Sequence, residues 1–437
     1  MAIQLYYRAM PYEYSSSPRR IVPLSRIFQA FRSRNYRLLW PANVCTNVSR
    51  FGQITLLAWL VLELTGSPLS VALVGFFASV PMLLFGLAGG VLTDTLNRRT
   101  LLLVSQAVSL TVAIVMSILL WTDNVLYWHS YLAALTTGLS FTIDMPSRRS
   151  LIHDLLGRGG VTNGFALDSL GQSVSRMLGP AMAGALMATV GVTGGYFAVT
   201  LIYLLAVGLL WNLQVPMSIA TDTTVLSSIF SNMARGISYV RGEPVLVGVV
   251  LITILMNVML FPYQTMVPVV AKNVLEVGPG LMGVLLAADG LGAMIGAVAI
   301  ASAANVRYHG RLYAGGTTLC LVSLLLFSIS RSYLLSLPIL LTIGIGAGIF
   351  SSLQGAMVVL LAPEEFRGKA LGVMSLAIGT GPFGALFLGI MANIKGATFA
   401  LGLNGIAGLV LIGLIAFFMP AIRRPILVDV EGHGFNP

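Results

Sequence analysis

The chain has 437 residues, of which 57% are hydrophobic and only 9% are charged, and its mean hydropathy is +0.89. A soluble domain keeps about a quarter of its residues charged to cover its surface, so this composition excludes a water-soluble globular protein. The formal net charge of +10 does not indicate a nucleic-acid partner, because the sequence has no basic stripe interleaved with aromatic residues.

Twelve apolar stretches follow one another along the chain. Each reaches the length of about 20 residues that a helix needs to cross a bilayer. They cover, within a few residues, 38–63, 69–93, 100–121, 125–143, 162–189, 193–213, 245–274, 280–303, 312–330, 333–361, 367–393 and 397–419. The longest non-apolar stretch follows the sixth. The sequence therefore predicts an all-α membrane protein with a tail (1–37), a six-helix bundle (38–213), a linker (214–244), a second six-helix bundle (245–419) and a second tail (420–437).

Lysine and arginine are distributed unevenly between the two sides of these spans. If the N-terminus is cytoplasmic, 20 of the 25 basic residues face the cytoplasm, and only Lys272, Arg331 and Lys395 face the other side. Cytoplasmic loops carry the excess of positive charge in membrane proteins. We therefore expect a multi-pass protein of a bacterial inner membrane with both termini in the cytoplasm. The linker contains an amphipathic stretch, which we expect to lie on the cytoplasmic leaflet with Arg235 and Arg241 near the headgroups.

Several kinds of chemistry lack the residues that they require. Cys45 and Cys320 are far apart, and the four histidines show no metal-ligand spacing. The sequence has no GxxxxGK[ST] loop for ATP, and no span combines a nucleophile with a base. We expect no metal, no cofactor and no enzymatic activity, and we expect the protein to be a monomer.

The connection between the second and third spans reads GGVLTDTLNRRTLLL. In it, Gly90, Asp94, Arg98 and Arg99 resemble the signature motif of the major facilitator superfamily. Thr95 replaces the first basic residue of that motif.

Asn97 replaces the second glycine of the same motif, and this departure is mild because asparagine tolerates the left-handed turn that a glycine would supply. The resemblance implies that Asp94 and the two arginines lock the halves of the molecule at the cytoplasmic face. The alternative is that Arg98 and Arg99 serve only as topology anchors.

The fifth span contains Gly179, Pro180 and Gly184, which resemble the Gly-Pro-x-x-x-Gly element of the exporter branch of that superfamily. The alternative is ordinary close packing between helices, in which small residues are common. The segment APEEFRG before the eleventh span, with Glu364 and Arg367, is also similar to the second half of the superfamily. The candidate gating residues are therefore Gly90, Asp94, Arg98, Arg99, Gly179, Pro180, Gly184, Glu364 and Arg367.

Three further segments resemble the siderophore-exporter branch of enterobactin type: NYRLLW, LELTGSPLSVALVGF and VPMLLFGLAGGVL. The resemblance runs through nearly the whole chain. It implies the major facilitator fold and transport by alternating access. Many proton-coupled drug exporters carry an arginine in span four, and we expect none here, which argues against their standard antiport mechanism.

Five ionisable residues lie in or at the edge of the predicted spans: Arg50, Glu63, Asp168, Arg176 and Asp289. A charge at mid-span costs about 2.5–3.5 kcal/mol on insertion scales. Asp168 and Arg176 share a helix face with Gln172 but lie about 12 Å apart along the axis, so they do not pair. The available partners of opposite charge are Arg50 for Asp168 and Asp289 for Arg176. Glu63 sits where it can reach headgroup water.

The candidate residues for a substrate cavity and for proton coupling share a polar character inside apolar spans. They are Asn43, Asn47, Arg50, Asp168, Gln172, Arg176, Tyr263, Gln264 and Asp289. The alternative for the charged members is a structural network between helices. Asp289 is the leading candidate for the proton carrier because its span is otherwise apolar, and Asp168 is the second.

We therefore expect a proton-coupled secondary transporter that exports a small amphipathic molecule, such as a siderophore or a drug. Two alternatives remain open. One is a proton symporter that imports a nutrient, and the other is a transporter-like sensor that moves no substrate.

Overall fold

The computed structural model describes residues 29–214, 225–303 and 308–423, and these residues are almost entirely helical. Nine stretches of them are long and apolar enough to cross a membrane. One of the nine, Gly160–Trp211, has 52 residues and crosses twice. Together with Arg34–Thr65 and residues 127–156, which are more polar, the described chain forms twelve membrane-spanning helices. The predicted all-α membrane fold is confirmed.

The first six helices include three that follow one another without a loop. The six are α1 (Arg34–Thr65), α2 (Pro68–Thr95), α3 (Arg98–Trp121) and the three segments of Tyr127–Trp211, namely α4 (127–156), α5 (158–190) and α6 (192–211). Gly157 at φ 60° and Gly191 at φ 75° separate these segments. A glycine adopts such angles without steric penalty, so one residue is enough to reverse the chain.

The second six helices follow a linker helix, Val225–Gly242. They are α7 (Pro244–Asn273), α8 (Pro279–Ser302), α9 (His309–Ile329), α10 (Tyr333–Leu361), α11 (Glu364–Ile378 and Gly381–Lys395) and α12 (Ala397–Phe418). Helix α7 has a π-helical turn at Met256–Leu260, followed by Pro262. The backbone carbonyl of Met259 in this turn accepts a hydrogen bond of 3.0 Å from the side-chain amide of Asn404 on α12.

The predicted spans agree with the helices except for the fourth. Its apolar stretch ends near residue 143, but α4 continues to residue 156 and buries Asp144 and Arg148, which are 3% and 4% exposed. These two residues form an ion pair one helical turn apart, and mutual neutralisation lets both remain in the helix. The expectation that span four lacks an arginine is therefore wrong.

The helices begin and end at two faces of the molecule. At one of them, Asn35 at the start of α1 donates to the carbonyl of Gln214 after α6 (2.6 Å). At the start of α9, Arg311 donates to the carbonyl of Arg423 after α12 (2.8 Å). We call this the terminal face, because the described helical chain starts and finishes there. The other is the opposite face.

The two sets of six helices contact each other through α5 with α8 and through α2 with α11. Near the opposite face, a Cβ atom on Gly184 of α5 would lie 2.7 Å from the Cα atom of Gly283 on α8. At the same face, the Ser67 hydroxyl lies 3.2 Å from the side-chain oxygen of Asn393. The halves are therefore in backbone contact toward the opposite face.

The linker helix packs against α11. A Cβ atom on Gly236 would lie 2.8 Å from the carbonyl oxygen of Lys369, and Arg235 lies 3.5 Å from the carboxylate of Glu365. The second half of this helix therefore rests on protein, and its position on the lipid leaflet stays a prediction. The side chains before residue 233, and most of the two predicted tails, lie outside the described residues.

Candidate functional site

A cavity of ≈ 290 Å³ lies between the two halves of the molecule. Helices α1, α2, α4, α5, α7, α8 and α11 all contribute to its wall. Its polar wall includes Arg50, Ser79, Arg176, Asn257, Gln264 and Asp289. Its apolar wall includes Phe51, Ile54, Met82, Phe141, Phe261 and Leu286. An apolar cavity with a few convergent polar groups is the usual form of a small-molecule site.

Asp289 on α8 is the centre of a network that joins both halves. Its Oδ2 atom accepts hydrogen bonds from Nε and Nη2 of Arg176 on α5, at 3.1 and 2.9 Å. Gln264 on α7 donates a third bond of 3.1 Å to the same oxygen. The carboxylate is 1% exposed, and its other oxygen has no hydrogen-bond partner among the described residues. Removal of one partner from a buried pair is strongly destabilising, because the remaining charge is left buried and uncompensated.

The bend in α7 brings two polar residues to this network. Pro262 ends the π-helical turn, and Tyr263 and Gln264 begin the next helical segment directly after it. Gln264 reaches the cavity, whereas Tyr263 is buried beside Asp289. Broken helices place polar groups at membrane depth in many transporters.

Arg50 of α1 lies at the cavity wall and forms no ion pair with a carboxylate of the described residues. Its guanidinium group stacks over the ring of Phe141 at 3.7 Å and lies 4.8 Å from the ring of Phe51. None of the ion pairs among the described residues involves Arg50. The expectation that Arg50 pairs with Asp168 or Asp289 is therefore wrong, because the aromatic rings hold it in another direction.

A second buried charge pair lies inside the first half, behind Arg50. The Asp144 carboxylate bonds Arg148 and accepts a 2.9 Å hydrogen bond from the side-chain amide of Gln106. The Gln106 carbonyl in turn accepts a 3.0 Å bond from the Thr46 hydroxyl. Asp144 was not predicted as a site residue from the sequence, although its spacing of four residues from Arg148 is the signal of an intrahelical pair.

Asp168 on α5 lies away from the cavity, between α5 and α1. Its carboxylate accepts hydrogen bonds from the amide of Asn43 and from Gln172. Asn47 donates to the backbone carbonyl of Asn43 at 3.0 Å and lines a small pocket of the first half. The structure therefore brings Arg50, Arg176, Gln264 and Asp289 to the cavity. The predicted residues of α1 and α5 that it leaves outside the cavity wall are Asn43, Asn47, Asp168 and Gln172.

The glycine and proline element of α5 contacts two different helices. A Cβ atom on Gly179 would lie 2.8 Å from the carbonyl oxygen of Val48 on α1. Pro180 lines the cavity, and Gly184 touches the backbone of α8 as described above. The element therefore fixes α5 against its own half with one glycine and against the other half with the second.

The loop motif at the terminal face is partly described. Asn97 has φ −62°, so it adopts no left-handed turn, and it caps the start of α3 by accepting bonds from two backbone amides. Arg98 forms an ion pair with Asp154 of α4, and Arg99 donates to the carbonyl of Trp211 at the end of α6 (2.7 Å). The two arginines thus tie three helices of the first half together.

The remaining candidate gating residues lie at helix ends. Gly90 and Asp94 belong to the last turns of α2, and Glu364 is the first residue of α11, but their side chains lie outside the described residues. Arg367 on the first turn of α11 has a buried Nε atom without a partner among the described residues.

Comparisons with known proteins identify relatives over most of the chain. A family model described as transmembrane secretion effector matches residues 25–428. The multidrug efflux pump Tap of Mycolicibacterium fortuitum is 28% identical over 85% of this chain and 92% of the pump. The enterobactin exporter EntS of Escherichia coli is 24% identical over 77% of this chain and 80% of the exporter. The crystal structure of a POT family transporter in complex with 5-aminolevulinic acid superposes with TM-score 0.73 at 12% identity, covering 90% of this chain and 97% of the other.

Proposed function

The chain belongs to the transmembrane secretion effector family, a branch of the major facilitator superfamily, and from this membership we propose that it exports a small amphipathic molecule across the bacterial inner membrane. The resemblance to the superfamily and to its siderophore-exporter branch is confirmed. The relatives named above are an efflux pump and an exporter, which supports export over import. The exported molecule is a siderophore or a drug-like compound, and transport proceeds by alternating access with proton antiport.

The network at Asp289 is the observation that carries the proposed coupling. Arg176 belongs to the first half, whereas Gln264 and Asp289 belong to the second. A rocking motion of the halves separates α5 from α8 and takes the guanidinium group away from the carboxylate. A carboxylate without its positive partner in an apolar wall binds a proton, whereas arginine stays charged. Asp289 therefore alternates between an ion pair and a protonated form.

The direction of the molecule in the membrane follows from its basic residues. Arg98, Arg99, Arg235 and Arg311 all lie at the terminal face, which we assign to the cytoplasm. The contact between Gly184 and Gly283 then closes the outer side of the cavity. Asp94 and the arginines after α2 act at the inner side, where the cavity must close in the alternate state.

Transport in proteoliposomes tests the coupling. Amphipathic dyes with positive, zero or negative charge are screened first, and the dye that the parent moves fastest against a proton gradient serves as the reporter. Asp289→Asn is expected to lose gradient-driven flux and to keep dye counterflow, which needs no proton cycle. Asp168→Asn is the matched control, because Asp168 is held by Asn43 within one half, and it keeps both activities. Gradient-driven concentration of the dye by Asp289→Asn at the parental rate would refute the assignment.

A further inference from the structure

We propose that the unpaired guanidinium group of Arg50 binds an anionic group of the exported molecule, so that the substrate is an amphipathic anion. This inference rests on the proposed function, because it names the substrate class of the same cavity. It starts from the charges in the cavity wall. Arg50, Arg176 and Asp289 line the cavity, and Asp289 neutralises Arg176. One positive charge is left, at Arg50.

The nearest charge pair behind Arg50 does not neutralise it. Asp144 and Arg50 line the same small pocket, but the two oxygen atoms of Asp144 already bond Gln106 and Arg148. Asp144 and Arg148 thus cancel each other. A positive charge without a partner in a mostly apolar wall is unfavourable, and a bound anion removes that penalty.

The surroundings of Arg50 leave its terminal amino groups free for a ligand. The flat face of the guanidinium group is covered by Phe141 at 3.7 Å, and the Nε atom is buried without a hydrogen bond among the described residues. None of the hydrogen bonds formed within the described chain uses Arg50 as a donor, although the residue is partly exposed to the cavity. Arginine held by an aromatic face presents its edge to carboxylates and similar planar anions in two parallel hydrogen bonds.

The rest of the wall fits the apolar body of such a molecule. Ile54 and Met82 extend the surface that begins at Phe141, and Phe261 and Leu286 face it from the second half. Asn257 and Gln264 offer neutral amide groups between them. The expected ligand class is therefore an aromatic or aliphatic body that carries one carboxylate, sulfonate or phenolate group.

Two dyes that differ by one charged group test this assignment. 8-Anilinonaphthalene-1-sulfonate is an anion, and N-phenyl-1-naphthylamine is the same molecule without the sulfonate. Binding of each dye to the protein in lipid nanodiscs is measured by fluorescence titration, with empty nanodiscs as the blank. We expect the parent to bind the sulfonate about tenfold more tightly than the neutral dye, because a charge-assisted hydrogen bond contributes at least that factor. Equal or weaker binding of the sulfonate would overturn the proposal.

Variants at Arg50 and Ile54 distinguish the effect of the Arg50 charge on binding from a general effect on folding. Arg50→Gln is expected to weaken sulfonate binding about tenfold and to leave the neutral dye unchanged, whereas Arg50→Lys keeps most of the preference. Ile54→Glu places a carboxylate one helical turn from Arg50 and is expected to abolish the preference, with Ile54→Gln as the matched control. If Arg50→Gln fails to fold, the comparison of Ile54→Glu with Ile54→Gln tests the anion site instead. Unchanged sulfonate binding in Ile54→Glu would then refute the proposal.

The flux experiment distinguishes failure of this inference from failure of the proposed function. If the protein concentrates only cationic or neutral dyes in proteoliposomes, it is a transporter and the anionic substrate class is wrong. If no dye is moved but the sulfonate still binds through Arg50, the anion site stands and the proposed export is wrong.

Discussion

Arg176 on α5 and Asp289 on α8 form an ion pair across the boundary between the two halves, with 2.9 Å between Nη2 and Oδ2. The carboxylate is almost fully buried, and the arginine side chain is 22% exposed, toward the cavity. The same contact therefore holds the halves together and borders the space in which a substrate binds. Separation of the halves must break it.

Removal of one member of this pair should destabilise the protein more than removal of both. Arg176→Gln leaves a buried carboxylate without its partner, which costs about 3–5 kcal/mol in comparable buried pairs. The double variant Arg176→Gln/Asp289→Asn leaves no charge and should recover most of that loss. Thermal unfolding of the purified variants in detergent measures the difference. A double variant as unstable as Arg176→Gln alone would show that the pair has no such coupling.

A covalent bond across the opposite face should stop transport. A Cβ atom on Gly280 of α8 would lie 3.2 Å from the Cβ atom of Ala188 on α5, slightly less than the separation of about 3.5–4.5 Å in disulfides, so a small outward shift of the helices accommodates the bond. In a background with Cys45→Ser and Cys320→Ser, Ala188→Cys with Gly280→Cys is expected to cross-link under mild oxidation. The cross-linked protein loses flux, and a reducing agent restores it. Each single cysteine variant is the control, and full flux in the cross-linked protein contradicts alternating access at this contact.

The glycine contact between α5 and α8 should tolerate no side chain. In Gly184→Ala the new Cβ atom would lie 2.6 Å from the carbonyl oxygen of Pro279, so the helices must move apart. We expect slower formation of the cross-link described above and a lower unfolding temperature. Gly208→Ala on α6 is the matched control, since a Cβ atom there meets nothing within 4 Å. Equal cross-linking rates in the two variants would remove the contact from the closing mechanism.

The assigned orientation predicts opposite labelling of two exposed positions. Lys395 ends α11 at the opposite face, and Arg241 lies at the end of the linker helix on the terminal side. In the cysteine-free background, a membrane-impermeant maleimide added to whole cells should label Lys395→Cys and spare Arg241→Cys. Permeabilised cells, in which both positions react, provide the control. The reverse pattern would invert the topology.

The extent of the helices was predictable from sequence wherever the apolar pattern was unbroken. A lipid environment requires about 20 consecutive apolar residues, and this rule locates eleven of the twelve helices within a few residues. It fails for α4, because Asp144 and Arg148 look like the end of a span when each is considered alone. Their spacing of four residues places the two opposite charges on one helix face, and this pattern indicates that the helix continues through both.

The contacts of the site depend on how each helix is rotated, which local sequence does not specify. The face of α5 that holds Asp168 and Arg176 was predicted from their spacing, but their partners belong to α1 and α8. Arg50 turns toward Phe141 because of the position of α4 beside α1. Only the packing of distant segments decides which of several opposite charges becomes the neighbour.

Gly157 and Gly191 join α4, α5 and α6 without intervening loops. Each replaces an entire connecting loop with one residue in a conformation that other residues adopt only with strain. A Cβ atom at either position would meet nothing within 4 Å, so the requirement for glycine is conformational and not steric. With a single residue between them, neighbouring helices cannot separate at their joined ends. A displacement of α5 must therefore be taken up by rotation at Gly157 or by movement of α4, and α4 carries the Phe141 ring that stacks on Arg50.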